Sequence, residues 1–400
     1  MKEGWRMVKL GEVCKIKGGS TPIKSNKLYW ENGTIPWFTV ADIREQGRII
    51  KYTNKSITEL AAQKLCVYPV DTILLCCTAS VGEYAITKIE TTSNQQFNGL
   101  MIKDKSILSP EYLFHLVSTL KDVLLKLSGK TTIDFVSVSK VSDIEIPLPP
   151  LEEQHRIVSI LDASFEKIDA LKKNAEENLK NAKALFQQVL AQELKPKEGW
   201  VEKKLGEVCS KIGSGATPHG GKDSYKEEGI SLIRSLNIYD NEFIYDDLAH
   251  IDDKQADELN NVIIEKNDVL FNITGASVTR CCIVPNKILP ARVNQHVSIL
   301  RPQNGVLTNV FLCYLMISMK DYLIKLAFSK GATRQAITKK QLEDLMIAYP
   351  NDINEQMSIV NTINTLSEKC RRLEQVAQQT IRECDALKQS ILRQAFSGEL

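Results

Sequence analysis

This chain is written twice. Lys2-Glu3-Gly4-Trp5 returns as Lys197-Glu198-Gly199-Trp200, and Leu10-Gly11-Glu12-Val13-Cys14 returns as Leu205-Gly206-Glu207-Val208-Cys209, both 195 residues later. A long-period repeat determines architecture more firmly than local propensity, because both copies must form the same unit. The match continues through Gly19-Ser20-Thr21-Pro22 with Gly215-Ala216-Thr217-Pro218, Asp71-Thr72-Ile73-Leu74 with Asp268-Val269-Leu270-Phe271, Ala79-Ser80-Val81 with Ala276-Ser277-Val278, and Asn94-Gln95-Gln96 with Asn294-Gln295-His296. Beyond Glu153-Gln154 and Glu355-Gln356 the offset holds at 202, so the insertions fall in the first part of each copy. The first copy runs out at Leu194-Lys195-Pro196 straight into the second, whose last residues are Gly398-Glu399-Leu400. The order is nearly circular, which predicts that the two ends lie close together.

Each copy closes with a long uniform stretch. Residues 153–194 contain neither Gly nor Pro, and Leu161, Phe165, Ile168, Ala175, Leu179, Ala182, Phe186 and Val189 recur in steps of four and three, with Lys172 breaking the stripe. In the second copy Ile359, Ile363, Leu366, Cys370, Leu373, Ala377, Thr380, Cys384, Leu387 and Ile391 hold a 3.5-residue period. That period is a coiled-coil seam. A helix of some 40 residues is about 60 Å long and needs a partner for its narrow apolar stripe, so the two are expected to pack against each other, antiparallel. Pro196 ends the first and Gly398 caps the second. The small residues Ala175, Ala182, Ala377 and Thr380 suit close backbone approach, or room for other subunits.

Residues 1–150 and 196–350 mix short β-branched runs with helical stretches and read as α/β or α+β domains; residues 151–195 and 351–400 are the helices. Residues 1–150 hold 19 Lys plus Arg against 15 Asp plus Glu, and residues 197–350 hold 19 against 19. Neither is a basic tail, so any contact with nucleic acid is local. No apolar run is long enough to span a bilayer, and residues 1–9 lack a signal-peptide core, so a cytoplasmic chain is expected. The ten cysteines include two adjacent pairs and no C-x-x-C, which favours buried reduced thiols over zinc or disulfides.

Phosphate-binding, zincin and hydrolase signatures are absent, as is the Pro-Pro-aromatic tetrapeptide that amino-methyltransferases use on a flipped base. The five histidines have no metal-ligand spacing. What the domains carry instead is polar loops. Ser20, Thr21, Lys24 and Lys27 follow Gly18-Gly19; Thr217, His219 and Lys222 follow Gly213-Ser214-Gly215; Ser277 and Arg280 lie in the stretch Thr274 to Arg280; Lys130 and Thr131, and Arg334 and Gln335, stand in glycine-led stretches near the ends of the two segments. Hydroxyls, amides and isolated cations on glycine loops suit phosphates and base edges, as they suit ordinary turns.

Gly-x-Thr-Pro near the start of each copy, Ile146-Pro147-Leu148-Pro149-Pro150-Leu151-x-Glu153-Gln154 entering the first helix, and the closing Ala386-Leu387-Lys388-Gln389-Ser390-Ile391-Leu392-x-x-Ala395-Phe396-Ser397-Gly398-Glu399-Leu400 resemble the specificity subunit of type I restriction-modification systems. The resemblance covers essentially the whole chain. It implies two target-recognition domains, each reading half of a split DNA sequence, and helical regions that set the spacing and dock two modification (methyltransferase) subunits, which restriction subunits then join. S-adenosylmethionine would belong to the modification subunit, ATP and Mg to the restriction subunit, and no catalytic residue to this chain. A structural coiled-coil adaptor whose globular ends bind proteins is the alternative.

Positions alike in both copies, such as Thr21 with Thr217 and Gln95 with Gln295, cannot distinguish two unlike half-sites and read as scaffold or phosphate contacts. Specificity is expected where the copies differ, with Arg44, Gln46, Arg48, Arg234, Asn237, Arg280 and Arg292 as candidates for base edges. Two departures stand out. The second copy enters its helix through Tyr349-Pro350-Asn351-Asp352, without a double proline, and Thr78 stands where the second copy has Gly275.

Overall fold

The structure is a computed structural model that describes residues 4–128, 135–328 and 335–400. Lys130, Thr131 and Arg334 lie outside the described residues. The chain divides into two compact units, Met1–Ala175 with Gln379–Leu400, and Glu176–Gln378. Each unit therefore combines one globular segment with stretches of both long helices.

In the first unit a five-stranded sheet runs in the order Cys14–Gly18, Phe97–Ile102, Ile73–Cys76, Tyr84–Thr87, Ile49–Ile50. The continuous apolar run Ile73-Leu74-Leu75-Cys76 is buried on both faces. Ile73 and Leu75 join a core with the helix Pro110–Val117, whereas Leu74 and Cys76 point the opposite way, to Phe38, Tyr68 and Phe97. Alternation along a strand makes this unavoidable: a strand apolar at every position must be covered twice. The second unit repeats the pattern. Its four-stranded sheet runs Cys209–Ser214, Val297–Pro302, Val269–Asn272, Cys281–Ile283, with Val269 and Phe271 in one core and Leu270 in another.

Each globular segment is closed by pairing its first strand with its last. Arg6–Lys9 lies antiparallel to Glu145–Leu148, and Trp200–Lys204 to Met346–Pro350. As the circular order predicts, residues near the two ends share a core: Trp5 and Leu400 pack with one cluster, and Arg156 donates to Leu400 O at 2.7 Å. In the second copy Leu194 and Trp200 fill the corresponding place, joined there by continuous chain.

The long helices span Leu151–Glu193 and Ile353–Ser397. Gly398, at φ +82°, ends the second, and Glu399 N–H closes onto the Gln394 carbonyl at 2.9 Å. Within the first unit the helices run antiparallel, since Asp169 pairs with Lys388 and Lys172, three residues on, pairs with Asp385. The lysine that interrupts the apolar stripe is thus an ion-pair partner across the two helices. In the second unit Phe186, Leu190 and Leu194 share a core with Ile359, Val360 and Ile363.

The seam is buried at Leu161, Ile168, Ala175 and Ala182 on one helix, and at Ile363, Cys370, Ala377 and Cys384 on the other. Val189 and Ile391 depart from expectation. Both are half-buried, and the fully covered residues are Leu190 and Leu392. An α-helix drifts about 20° per heptad from a strict seven-residue stripe, so a final step of eight restores the core-facing side. The intervening positions are more open than a full seam requires: Leu373 and Leu387 are exposed.

Nine of the ten cysteines are buried and none is in a disulfide; Cys66 is half-buried. No helix among the described residues is long and apolar enough to cross a membrane, and no group of His, Cys, Asp and Glu there is placed to hold a metal.

Candidate nucleic-acid interface

The two copies of Gly-x-Thr-Pro build the same corner. Gly19 and Gly215 run so close to the chain at 93–94 and 293–294 that a Cβ on either would overlap backbone there, which is why glycine stands at both positions. The approach is sealed by Gly19 N–H to Phe97 O (2.8 Å), Ser20 N–H to Ser93 O (2.9 Å) and Gly215 N–H to Asn294 O (3.2 Å). Pro22 and Pro218 are buried behind the corner. Opposite it, Asn94 and Asn294 fold their side chains back to accept from the N–H of Gln96 and His296, both at 3.0 Å. These Asx turns carry Gln95 and Gln295 on exposed tips. There the Thr21 hydroxyl donates to Gln95 Oε1, and the Thr217 hydroxyl to Gln295 Oε1.

In the second unit the network extends. Gln295 Nε2 meets His296 Nε2 at 3.2 Å, and His296 Nδ1 meets the Thr274 hydroxyl at 2.6 Å. In the first unit Gln96 replaces that histidine and accepts from Asn94 Nδ2 at 2.9 Å. The loops at Thr78 and Gly275 also differ. Gly275, at φ +74°, opens a tight turn through Ser277, and the bridge that Thr78 makes to Phe135 is made in the second unit by the preceding residue, Thr274, to Ala336.

Of the residues expected to read base edges, three are committed inward. Asn237 is fully buried; its amide donates to Ile244 O and Asp246 O and accepts from Arg234 N–H. Arg292 is 7% exposed and spends its guanidinium on Ala256 O, Ala291 O and Asn260. Burial pulls its pKa below the ordinary arginine value. Gln46 is half-buried and splints its own loop, donating to Tyr52 O and accepting from the N–H groups of Lys51 and Tyr52. In each case a backbone with unpaired groups claimed the side chain. Sequence position alone does not reveal that demand.

Three other candidates are half-buried against aromatic faces. Arg48 lies 4.0 Å over Tyr84 and 3.4 Å from Glu83. Arg280 lies 4.0 Å over Tyr239. Arg234 stacks on Tyr225 and pairs with Asp247. Ser20, Lys24, Arg44, His219 and Lys222 are exposed, as is Lys27 beside Glu31. Ser277 and Gln335 are half-buried, and the Gln335 carbonyl accepts from Gly275 N–H at 3.0 Å. Arg44 lines a groove of about 420 Å³ with Val40, Ser80, Glu83 and Lys121.

Sequence reading missed the pair that joins reader to helix. Gln154 and Gln356 are fully buried. Gln154 Oε1 accepts from Ser109 N–H (2.9 Å) while its Nε2 donates to Ile107 O (2.8 Å) and Pro149 O (2.9 Å). Gln356 does the same with Thr308 N–H, Val306 O and Pro350 O, at 2.8, 3.0 and 2.9 Å. The second junction therefore makes the same three kinds of contact despite its missing proline, with one more residue between the accepting proline and the glutamine. The signal was present as the repeated Glu-Gln that opens each helix.

Two matching scaffolds, each with a polar loop corner and a glutamine lock onto a long helix, define a duplicated recognition subunit. The chain belongs to the family of the type I restriction modification DNA specificity domain, whose family model matches residues 2–181 and 197–383. It is 28% identical over 377 residues to the type I restriction enzyme MjaIX specificity subunit of Methanocaldococcus jannaschii, covering 86% of this chain and 83% of that protein. It is 24% identical to the EcoBI specificity subunit of Escherichia coli, across 100% of this chain and 86% of that one. Among solved structures, the HsdS subunit from Thermoanaerobacter tengcongensis shares the fold with a TM-score of 0.60 at 24% identity, covering 100% and 98% of the two chains. A chain solved in work on complex assembly and conformational transition of the type I R-M system matches with a TM-score of 0.82 at 24% identity, covering 100% and 99%.

Proposed function

We propose that this specificity subunit reads a split DNA target, one half with each globular segment, and that its two long helices set the gap between the halves and dock two modification subunits, which restriction subunits then join. The observation that carries this reading is the polar corner built twice on one scaffold while the loops around it diverge. Identical frames with unlike loops suit two unlike half-sites. The helices run from one compact unit into the other, so their length is available as a spacer, and readers on one face of B-DNA require about 34 Å or a multiple of it. Exposed Leu373 and Leu387 leave apolar surface for other subunits.

In this scheme the chain supplies recognition and no bond-making group. S-adenosylmethionine is held by the modification subunit, ATP and Mg by the restriction subunit. Near-neutral charge fits a reader that shares phosphate contacts with its partners. The test is methylome sequencing of cells with and without this gene. One split adenine-methylated motif disappears on deletion, and exchanging residues 1–150 for another reader changes one half of it only. Removing one heptad from each helix changes the gap and leaves both half-sites intact. Loss of both halves in the exchange, or an unchanged gap after heptad removal, refutes the reading.

A further inference from the structure

We propose that Gln95 and Gln295 are base-reading residues, and that each presents the same oriented amide to the same base, an adenine, in its own half-site. The inference rests on the split-target reading above and assigns a shared element within it. Each glutamine stands on an exposed tip braced by an Asx turn, and in each the Oε1 takes the hydroxyl of the threonine from the facing Gly-x-Thr-Pro corner. With the hydroxyl donating, the oxygen side of each amide faces its threonine. A hydrogen bond between two side chains at the surface contributes little net stability once the entropy of holding a long side chain is subtracted. Its appearance in both units points to orientation, not to fastening.

An amide carries two lone pairs on oxygen and two N–H donors. In the second unit the contacts to Thr217 and His296 use one of each, which leaves one lone pair and one N–H for a base. Adenine is the base whose major-groove edge offers the complement, an N6–H donor beside an N7 acceptor. Guanine sets its O6 against the amide oxygen, two acceptors face to face. A position alike in both copies cannot tell the half-sites apart, and reading a base that both half-sites contain is a task that requires it to be alike.

The experiment uses the purified complex of this chain with its modification subunits, and duplexes carrying the motif found by methylome sequencing. Single adenines are replaced in turn by 7-deazaadenine, which removes the N7 acceptor and keeps base pairing. One adenine in each half-site is expected to cost roughly tenfold to a hundredfold in affinity. Gln95→Ala abolishes that sensitivity in one half-site alone, and Gln295→Ala in the other alone. Gln95→Glu accepts from Thr21 as before and loses the donor; it is expected to melt like the parent chain and lose the same discrimination. A uniform loss of affinity with 7-deaza sensitivity intact would make the glutamines phosphate or scaffold contacts and overturn the proposal while leaving the split-target reading in place. Failure of the parent complex to prefer any bipartite duplex overturns both.

Discussion

Replacing Gln154 by alanine is expected to unfasten the first reader from its helix. The substitution deletes three hydrogen bonds in a fully buried site and orphans the Ser109 N–H and the carbonyls of Ile107 and Pro149. At roughly 1–3 kcal/mol for each orphaned group, with partial rescue by water entering the vacated space, the loss is about 3–5 kcal/mol. For a unit of this size that corresponds to a fall in Tm of roughly 6–20 °C. Urea or thermal unfolding followed by tryptophan fluorescence measures it, because Trp5, Trp30 and Trp37 lie in the first unit and only Trp200 in the second. Gln356→Ala produces the matching loss in the signal of Trp200, and the two effects add, as the sites share no partner. Exposed Gln187→Ala is the control and stays within about 0.5 kcal/mol of the parent. A loss below about 1 kcal/mol at Gln154 would refute the lock, since three buried backbone groups cannot be left unpaired so cheaply.

Arg292→Ala is expected to destabilise the second unit by about 2–4 kcal/mol through loss of its buried hydrogen bonds without altering which bases are read, whereas Lys24→Ala leaves stability unchanged and lowers the salt dependence of DNA affinity by about one charge; melting curves and salt titrations of the complex separate the two. Alkylation by iodoacetamide at pH 8 is expected at Cys66 before Cys14, Cys77 and Cys209, because burial pushes those three thiols up to about 12 and the thiolate is the reactive form; peptide mapping reports the order, and early labelling of Cys209 would contradict the packing.

The site was legible in its frame and obscure in its detail. Gly19, Thr21, Gln95 and their counterparts are marked by repetition, and the structure shows why each pair recurs together: glycine for close approach, threonine and glutamine for one hydrogen bond. The divergent cations were harder to sort. Arg292 and Lys24 look equally available in the sequence, yet one fills a core and the other faces solvent. Asn237 is polar for a backbone that needs its amide, a requirement set by residues 244–246 as they turn past it.

The duplication, the two long helices, their seven-residue stripe and the shared core of Trp5 and Leu400 follow from the sequence, because each depends on repetition, which local order preserves. Which polar side chains are spent on backbone groups, where the stripe takes its step of eight, and how a glutamine fastens each reader to its helix were decided by the tertiary structure. Those are matters of which unpaired groups are brought within 3 Å of one another, and residues 45 or 48 positions apart meet only when the whole unit has folded.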